Sequence, residues 1–200
     1  MLAYSQANWE EKTYTIMSGD WQAAKDALMD FPNLPYIIDG DLKLSETIAV
    51  HFYIAEKYCP ALLGSTPEQR ARAIQLHKIG DEQFINAIKL CFADGNDKAG
   101  VTAKLMEGLG PLGNLLNDDR QFLTGDSPCV ADFVLFEQIE YANHLTKDLE
   151  EKTYTRYPKL EAYRNRMAGL PGLSEYLASE QHAATAANWV PSPPAKVNLN

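Results

Sequence analysis

Residues 30–40 read DFPNLPYIIDG, and this stretch decides how the first part of the chain folds. Two short β-rich runs, 36–38 and 42–44, lie on either side of an Asp-Gly turn, which is a strong local signal for a β-hairpin. Leu34-Pro35 stands directly before the first run. A cis X–Pro bond there turns the chain sharply and leaves the backbone N–H and C=O of Leu34 facing a groove. Such an edge can hydrogen-bond an extended peptide as an added strand.

Two further features flank the hairpin. Trp21 and Lys25 are four residues apart in a helix-like stretch, so they share one face, where an indole N–H and an ammonium can hold a carboxylate. Glu46-Thr47 begins the next helix, and its free N–H groups with the Thr hydroxyl form a second carboxylate site. Taken singly, Trp21 is a core residue, Lys25 a surface residue and Thr47 an ordinary cap. Together they predict a groove for a short peptide with a carboxylate at each end.

The rest of the chain divides into a small α/β unit and a helical region. Weak alternation over 10–15 predicts an exposed strand before the first helix. From residue 45 onward the apolar period is helical, and turn signals separate the stretches. We expect helices over 45–58, 67–91, 101–117, 130–146, 158–168 and 173–182. The predicted domains are 1–59 and 67–200, joined by a short linker, and the Pro-rich tail from Val190 is expected to be non-helical.

Composition excludes several classes of protein. The 200 residues hold 18 Lys and Arg against 27 Asp and Glu, and a net charge of −9 disfavours nucleic acid and anionic membranes as partners. No apolar run is long enough to span a bilayer, and the first residues lack the pattern of a signal peptide. The three cysteines are odd in number and far apart, which is typical of a reducing compartment. We therefore expect a cytoplasmic protein.

Common catalytic motifs are missing from the sequence. Residues 108–113 match G-x-G-x-x-G, but a helix-like stretch precedes them where a dinucleotide site needs a strand. The zinc, thiol-redox and serine-hydrolase signatures do not occur, and the four histidines have no metal-ligand spacing. We predict no metal site. His51 lies within an apolar helix pattern, which favours a packed residue over a ligand.

The groove features carry a resemblance to a known family. Residues 30–40, KLSET at 43–47 and YIA at 53–55 resemble the cytosolic glutathione transferases, most of all their mu class. GDSPCVADF at 125–133 resembles that family's buried helix-capping motif. Glutathione is a short peptide of the predicted kind. The resemblance implies the glutathione transferase fold, in which a thioredoxin-like α/β domain is followed by an all-α helical domain, and it implies a homodimer.

The resemblance also implies roles for individual residues. Trp21 and Lys25 match positions that hold the glycine carboxylate of glutathione. The backbone of Leu34 matches the one that pairs with the cysteinyl unit. Pro35 matches the cis-proline, and Asn33 matches a neighbouring contact to the tripeptide.

Other implied roles lie at the far end of the tripeptide and at the dimer interface. Glu46 and Thr47 match positions that bind the γ-glutamyl end, where mu enzymes usually carry Gln and Ser. Glu46 thus adds a negative charge that must meet the ligand's ammonium. Asp81, or Glu82 in an alignment shifted by one, matches an acid contributed across the dimer interface. Phe31 matches an aromatic residue whose side chain inserts into the partner subunit.

The chain also departs from the family pattern. In the family a strand and a helix precede the position of Met1, and that strand carries the tyrosine that stabilises the glutathione thiolate. The thioredoxin-like domain is therefore expected to be N-terminally truncated, and no catalytic residue is identified. Tyr4 matches the wrong end of the preceding helix to replace that tyrosine. Phe92 stands where mu enzymes often place a second tyrosine in the electrophile pocket, and Cys129 replaces the usual Ser or Thr of the capping motif.

Three hypotheses follow for the function. The first is a transferase that joins the thiol of glutathione to small hydrophobic electrophiles, with glutathione as co-substrate and no other cofactor. The second is a non-catalytic module of the same fold that dimerises or carries apolar ligands. The third is a truncated form of a working transferase.

Overall fold

The computed structural model describes residues 1–14, 19–93, 98–116, 118–146, 155 and 157–187. Helix α1 is followed by a β-hairpin, helix α2 and a short 3-10 turn, and helices α3 to α8 complete the described chain. The elements are α1 (Asp20–Leu28), β1 (Tyr36–Asp39), β2 (Leu42–Ser45), α2 (Thr47–Tyr58), the 3-10 turn (Pro60–Leu63), α3 (Pro67–Ala93), α4 (Lys98–Leu115), α5 (Val130–Thr146), α6 (Pro158–Ala168), α7 (Leu173–Leu177) and α8 (Glu180–Ala187).

The predicted hairpin is confirmed. Strands β1 and β2 pair antiparallel with Tyr36 opposite Ser45, and Gly40 takes the positive φ of 61° that the tight turn requires. The hairpin's turn end is fixed to α2, because the Asp39 carboxylate accepts hydrogen bonds from Lys57 and from the hydroxyls of Tyr53 and Tyr58. These contacts lower the pKa of Asp39 to about 2, and the hydrogen bond from Lys57 contributes most. The carboxylate therefore stays ionised at neutral pH.

Helices α3, α4 and α5 enclose the main core. Their buried residues include leucines from each helix, with aromatic and smaller side chains between them, as expected for helices whose apolar faces meet. Residues 108–113 lie inside α4, which confirms that they are not a dinucleotide-binding loop. Helix α3 begins at Pro67 as predicted, with a capping box in which Thr66 and Gln69 exchange side chain–backbone hydrogen bonds.

The capping motif at 125–133 is built around one buried carboxylate. Asp132 is fully buried at the start of α5 and accepts the backbone N–H of Leu123 at 2.9 Å and that of Cys129 at 2.7 Å. The Tyr163 hydroxyl of α6 donates to the same carboxylate at 2.7 Å. Asp132 therefore joins the 120–124 loop, the start of α5 and α6, which confirms the sequence interpretation of this motif. Burial raises the pKa of the Cys129 thiol to about 12, so this cysteine is unreactive.

Two predicted elements are wrong. Residues 10–14 have no strand structure, because a strand needs a backbone partner and the sheet of the described chain holds only β1 and β2. The single helix expected over 173–182 is two, since the Ser179 hydroxyl accepts the N–H of His182 and acts as the N-cap of α8. The Pro-rich tail lies outside the described residues.

The N-terminal segment runs along the helical part of the molecule. The Tyr4 ring packs on Phe133, with 5.4 Å between centroids, and the Trp9 ring packs on Tyr176. The carbonyl of Ala3 passes so close to Gly172 that a side chain there would meet it. Tyr4 is thus a packing residue. None of the helices in the described ranges is long and apolar enough to cross a membrane.

Candidate functional site

The loop before β1 has the cis Leu34–Pro35 peptide bond that the sequence predicts. Two hydrogen bonds hold this exposed loop. The buried Ser45 hydroxyl donates to the Phe31 carbonyl at 2.5 Å, and the Asn33 amide donates to Glu46 Oε1 at 2.9 Å. Strand β2 and the residue before α2 therefore position the loop.

Asn33 connects two of the predicted ligand contacts. Its Oδ1 accepts the backbone N–H of Leu34 at 2.9 Å, while its Nδ2 donates to the Glu46 carboxylate. The N–H of Leu34 that the sequence assigns to a bound peptide thus already has a side-chain partner. A peptide that pairs with Leu34 through this N–H has to displace Asn33 Oδ1.

Glu46 and Thr47 lie where α2 begins. Thr47 is the first residue of the helix, as predicted, and Glu46 precedes it with φ 72° and ψ 119°. A non-glycine residue at positive φ is uncommon, and residues in strained backbone conformations cluster at active and ligand sites. The Glu46 side chain makes no hydrogen bond to the helix backbone, so the N-terminal N–H groups of α2 are not capped by it. This end of α2 retains the donors that a carboxylate ligand needs.

Asp81 on α3 lies within electrostatic reach of Glu46. Burial raises the pKa of Asp81, and the carboxylates of Glu82 and Glu46 add to the rise. The role of Asp81, or of Glu82, as an acid contributed across the dimer interface stays a prediction. Two neighbouring carboxylates attract an ammonium group.

Trp21 and Lys25 share the face of α1 that the sequence predicts. Both are half-buried, and Trp21 stacks on Tyr36, the residue that follows the cis-proline. The structure therefore brings Trp21 beside the loop that contains Leu34 and Asn33. Within the described residues, we find no hydrogen bond or ion pair of the Lys25 ammonium.

Phe31 and Phe92 are the residues predicted for the dimer interface and for the electrophile pocket, and the structure describes the side chain of Phe31 alone of the two. Phe31 projects from the loop with 83% of its surface exposed, although its carbonyl is fixed by Ser45. The side chain of Phe92 lies outside the described residues, as does any contact it makes. No group of three or more metal-binding side chains occurs in the described ranges.

The sequence missed two pairs of side chains near the site. Tyr14 and Tyr36 share a hydrogen bond between their hydroxyls, 3.1 Å apart, and His51 Nδ1 lies 2.9 Å from His77 Nε2. The partners are 22 and 26 residues apart, so no local spacing signals them. The interpretation of His51 as a packed residue is confirmed, since its ring on α2 packs against that of His77 on α3.

The histidine pair predicts a loss of stability in acid. Burial, with the His77 charge, lowers the pKa of His51 to about 3, and burial lowers that of His77 to about 4. An unfolded histidine titrates near 6.5, so below that pH the unfolded chain binds more protons than the folded one. The free energy of unfolding should fall from pH 6.5 to 5, by about 2 kcal/mol for His77 alone.

Chemical denaturation at several pH values measures this effect. In His77→Gln the dependence of the free energy of unfolding on pH between 6.5 and 5 should become shallower than in the wild type. Equal slopes in wild type and His77→Gln would contradict the prediction.

A cavity of about 360 Å³ lies elsewhere, between the start of α3, the end of α4 and the 120–124 loop. It contains none of the predicted site residues. Arg120, the cation on its rim nearest the loop, already binds the Asp118 carboxylate and the Leu123 carbonyl.

Comparison with known proteins identifies the family. The model for "Glutathione S-transferase, C-terminal domain" matches residues 84–180. The chain is 30% identical over 197 residues to a glutathione S-transferase class-mu 26 kDa isozyme of Fasciola hepatica, which covers 96% of this chain and 87% of that protein. It is also 30% identical over 197 residues to glutathione S-transferase Mu 1 of Oryctolagus cuniculus, covering 90% of this chain and 84% of that protein.

Solved structures show the same fold. The Pi-class glutathione S-transferase of Onchocerca volvulus has a TM-score of 0.77 at 21% identity, over 92% of this chain and 86% of that one. The glutathione S-transferase Blo t 8 also gives 0.77, at 24% identity and the same coverage. The predicted glutathione transferase fold is thus confirmed. With relatives of the mu class matching along almost its whole length, the chain belongs to the glutathione S-transferase family as a mu-class-like member.

Proposed function

We propose that this protein conjugates the thiol of glutathione to small hydrophobic electrophiles. The observation that carries the proposal is the arrangement around the cis-proline loop, where Asn33 links Leu34 to Glu46 at the start of α2. In this proposal the backbone edge at Leu34, the N-terminus of α2 and the half-buried Lys25 of α1 form one binding site. Glutathione offers a peptide backbone for the edge and a carboxylate at each end for the other two groups.

The proposed contacts follow the charges of the tripeptide. Trp21 and Lys25 hold the glycine carboxylate, and the N–H groups of α2 with the Thr47 hydroxyl hold the γ-glutamyl carboxylate. The ammonium of the γ-glutamyl unit lies near Glu46 and near the partner subunit's Asp81, which approaches across the dimer interface. Glutathione is the co-substrate in this proposal, and the reaction needs no metal or further cofactor. We assign no catalytic residue.

We further propose a cytoplasmic homodimer in which Phe31 inserts into the partner subunit. Its exposed fraction of 83% supports this, because the ring is accessible to a partner subunit that would remove its apolar surface from water. The divisions at 1–59 and 67–200 are kept as proposed domain limits. Phe92 is kept as a proposed residue of the electrophile pocket.

Isothermal titration of the 200-residue chain with glutathione tests the binding site. We expect saturable binding at one site per subunit. Lys25→Ala should weaken it about 10- to 100-fold, since a charge-assisted hydrogen bond is worth about 1.5–3 kcal/mol. Lys43→Ala, which removes an exposed lysine of β2, serves as the matched control and should leave the affinity unchanged.

The possible results distinguish the glutathione-binding site from the conjugation reaction. Unchanged affinity in Lys25→Ala would contradict the assignment of the glycine carboxylate to α1. Glutathione binding without conjugation of an electrophile such as 1-chloro-2,4-dinitrobenzene would leave a ligand-binding module of this fold. No glutathione binding by a folded chain would overturn the proposal.

A further inference from the structure

Three aromatic rings from separate segments contact one another beside the cis-proline loop. Tyr14 precedes α1, Trp21 lies in its first turn and Tyr36 begins β1. The ring centroids are 5.2 Å apart for Tyr14 and Trp21, 6.3 Å for Tyr14 and Tyr36, and 6.2 Å for Trp21 and Tyr36. We call these three residues the aromatic triad.

The geometry within the aromatic triad restrains the indole of Trp21 from two sides. Tyr36 stacks on it with only 14° between the ring planes, while Tyr14 meets it edge-on at 67°. Both arrangements are favourable for aromatic pairs. An indole N–H lies in the plane of its ring, so a restrained plane limits the directions in which Trp21 can donate a hydrogen bond.

Tyr36 is the fixed member of the aromatic triad. Its backbone pairs with the buried Ser45 in the hairpin, and its hydroxyl shares a hydrogen bond with that of Tyr14. Burial and the Tyr14 contact raise the pKa of Tyr36 to about 12, so the hydroxyl remains protonated at neutral pH. By contrast, α1 has nine residues and none of them is fully buried, which leaves its side chains few other constraints.

We infer that Tyr36 is a positioning residue for the glycine end of glutathione, acting through Trp21. It holds the indole N–H at a set distance from the backbone edge at Leu34, because Tyr36 is separated from that residue only by Pro35. The spacing between the carboxylate donor and the peptide-pairing edge is thus fixed by a ring stack. This inference rests on the proposed function, and neither the motif nor the charge pattern in the sequence indicates it.

The test compares two ligands that differ only at the glycine end. Glutathione carries the glycine carboxylate, and γ-glutamylcysteine lacks glycine altogether. Titration of the wild-type chain with both should show tighter binding of glutathione. Tyr36→Leu, which removes the ring, should weaken glutathione binding about fivefold and leave that of γ-glutamylcysteine unchanged.

Two further variants test whether the effect comes from the ring stack between Tyr36 and Trp21. Tyr36→Phe keeps the stack and loses only the bond to Tyr14, so it should weaken glutathione binding about twofold, again without effect on γ-glutamylcysteine. It replaces Tyr36→Leu as the deciding variant if that chain does not fold. Tyr53→Phe removes a hydroxyl from the Asp39 end of the same hairpin and should not change the ratio of the two affinities.

Failure of the inference differs from failure of the proposed function. Equal weakening of both ligands in the Tyr36 variants would mean a merely structural role and would overturn the inference, as would unchanged binding of glutathione. Wild-type binding of neither ligand would overturn the glutathione proposal, and the positioning role would fall with it.

Discussion

Replacement of Asp132 by alanine is expected to lower the free energy of unfolding by about 3 kcal/mol. The substitution leaves the buried N–H groups of Leu123 and Cys129 without an acceptor, and each orphaned group costs about 1–3 kcal/mol. The Tyr163 hydroxyl is affected less, because it also contacts the Asp132 backbone carbonyl at 3.2 Å. Urea denaturation followed by far-UV circular dichroism measures the change.

Two matched variants sharpen this expectation. Asp132→Asn retains one carbonyl oxygen, so its loss should fall between wild type and alanine. Asp126→Ala removes an exposed carboxylate six residues earlier in the same motif and should change stability by less than about 0.5 kcal/mol. Equal stability of Asp132→Ala and wild type would show that the carboxylate does not hold this junction together.

Replacement of Gly172 by alanine is the second large expected effect, with a loss of about 3 kcal/mol. Gly172 has φ +76°, and a Cβ there would lie 2.3 Å from the carbonyl oxygen of Ala3. The substitution therefore adds a steric conflict to the cost of an unfavourable backbone conformation. The N-terminal segment should separate from α7, with faster amide hydrogen exchange over residues 1–7.

Gly19→Ala isolates the backbone contribution. Gly19 has nearly the same φ, +75°, but nothing lies within 4 Å of its added Cβ. It should cost only about 1 kcal/mol and leave hydrogen exchange in residues 1–7 unchanged. A Gly172→Ala chain as stable as Gly19→Ala would contradict the close approach of Ala3.

Local signals predicted most of the elements and the outline of the candidate site. The Asp39-Gly40 turn predicts the hairpin, Pro67 marks the start of α3, and the 125–133 motif predicts the buried cap at Asp132. Each depends on backbone preferences or on spacings of a few residues, which the sequence displays directly. The relation of Trp21 to Lys25 is of the same kind, because a helix sets which neighbours share a face.

What the sequence by itself determined is thus the hairpin, the cis-proline loop, the start of α3 at Pro67 and the buried cap at Asp132. The residues proposed to contact glutathione stay a prediction. Only the tertiary structure decided that residues 10–14 form no strand, that Asn33 bonds to Glu46, and that Tyr36 stacks on Trp21. A strand requires a backbone partner and a ring stack requires a second ring, and both partners come from distant parts of the chain. Such contacts depend on how whole elements pack, and no short-range spacing in one sequence encodes that packing.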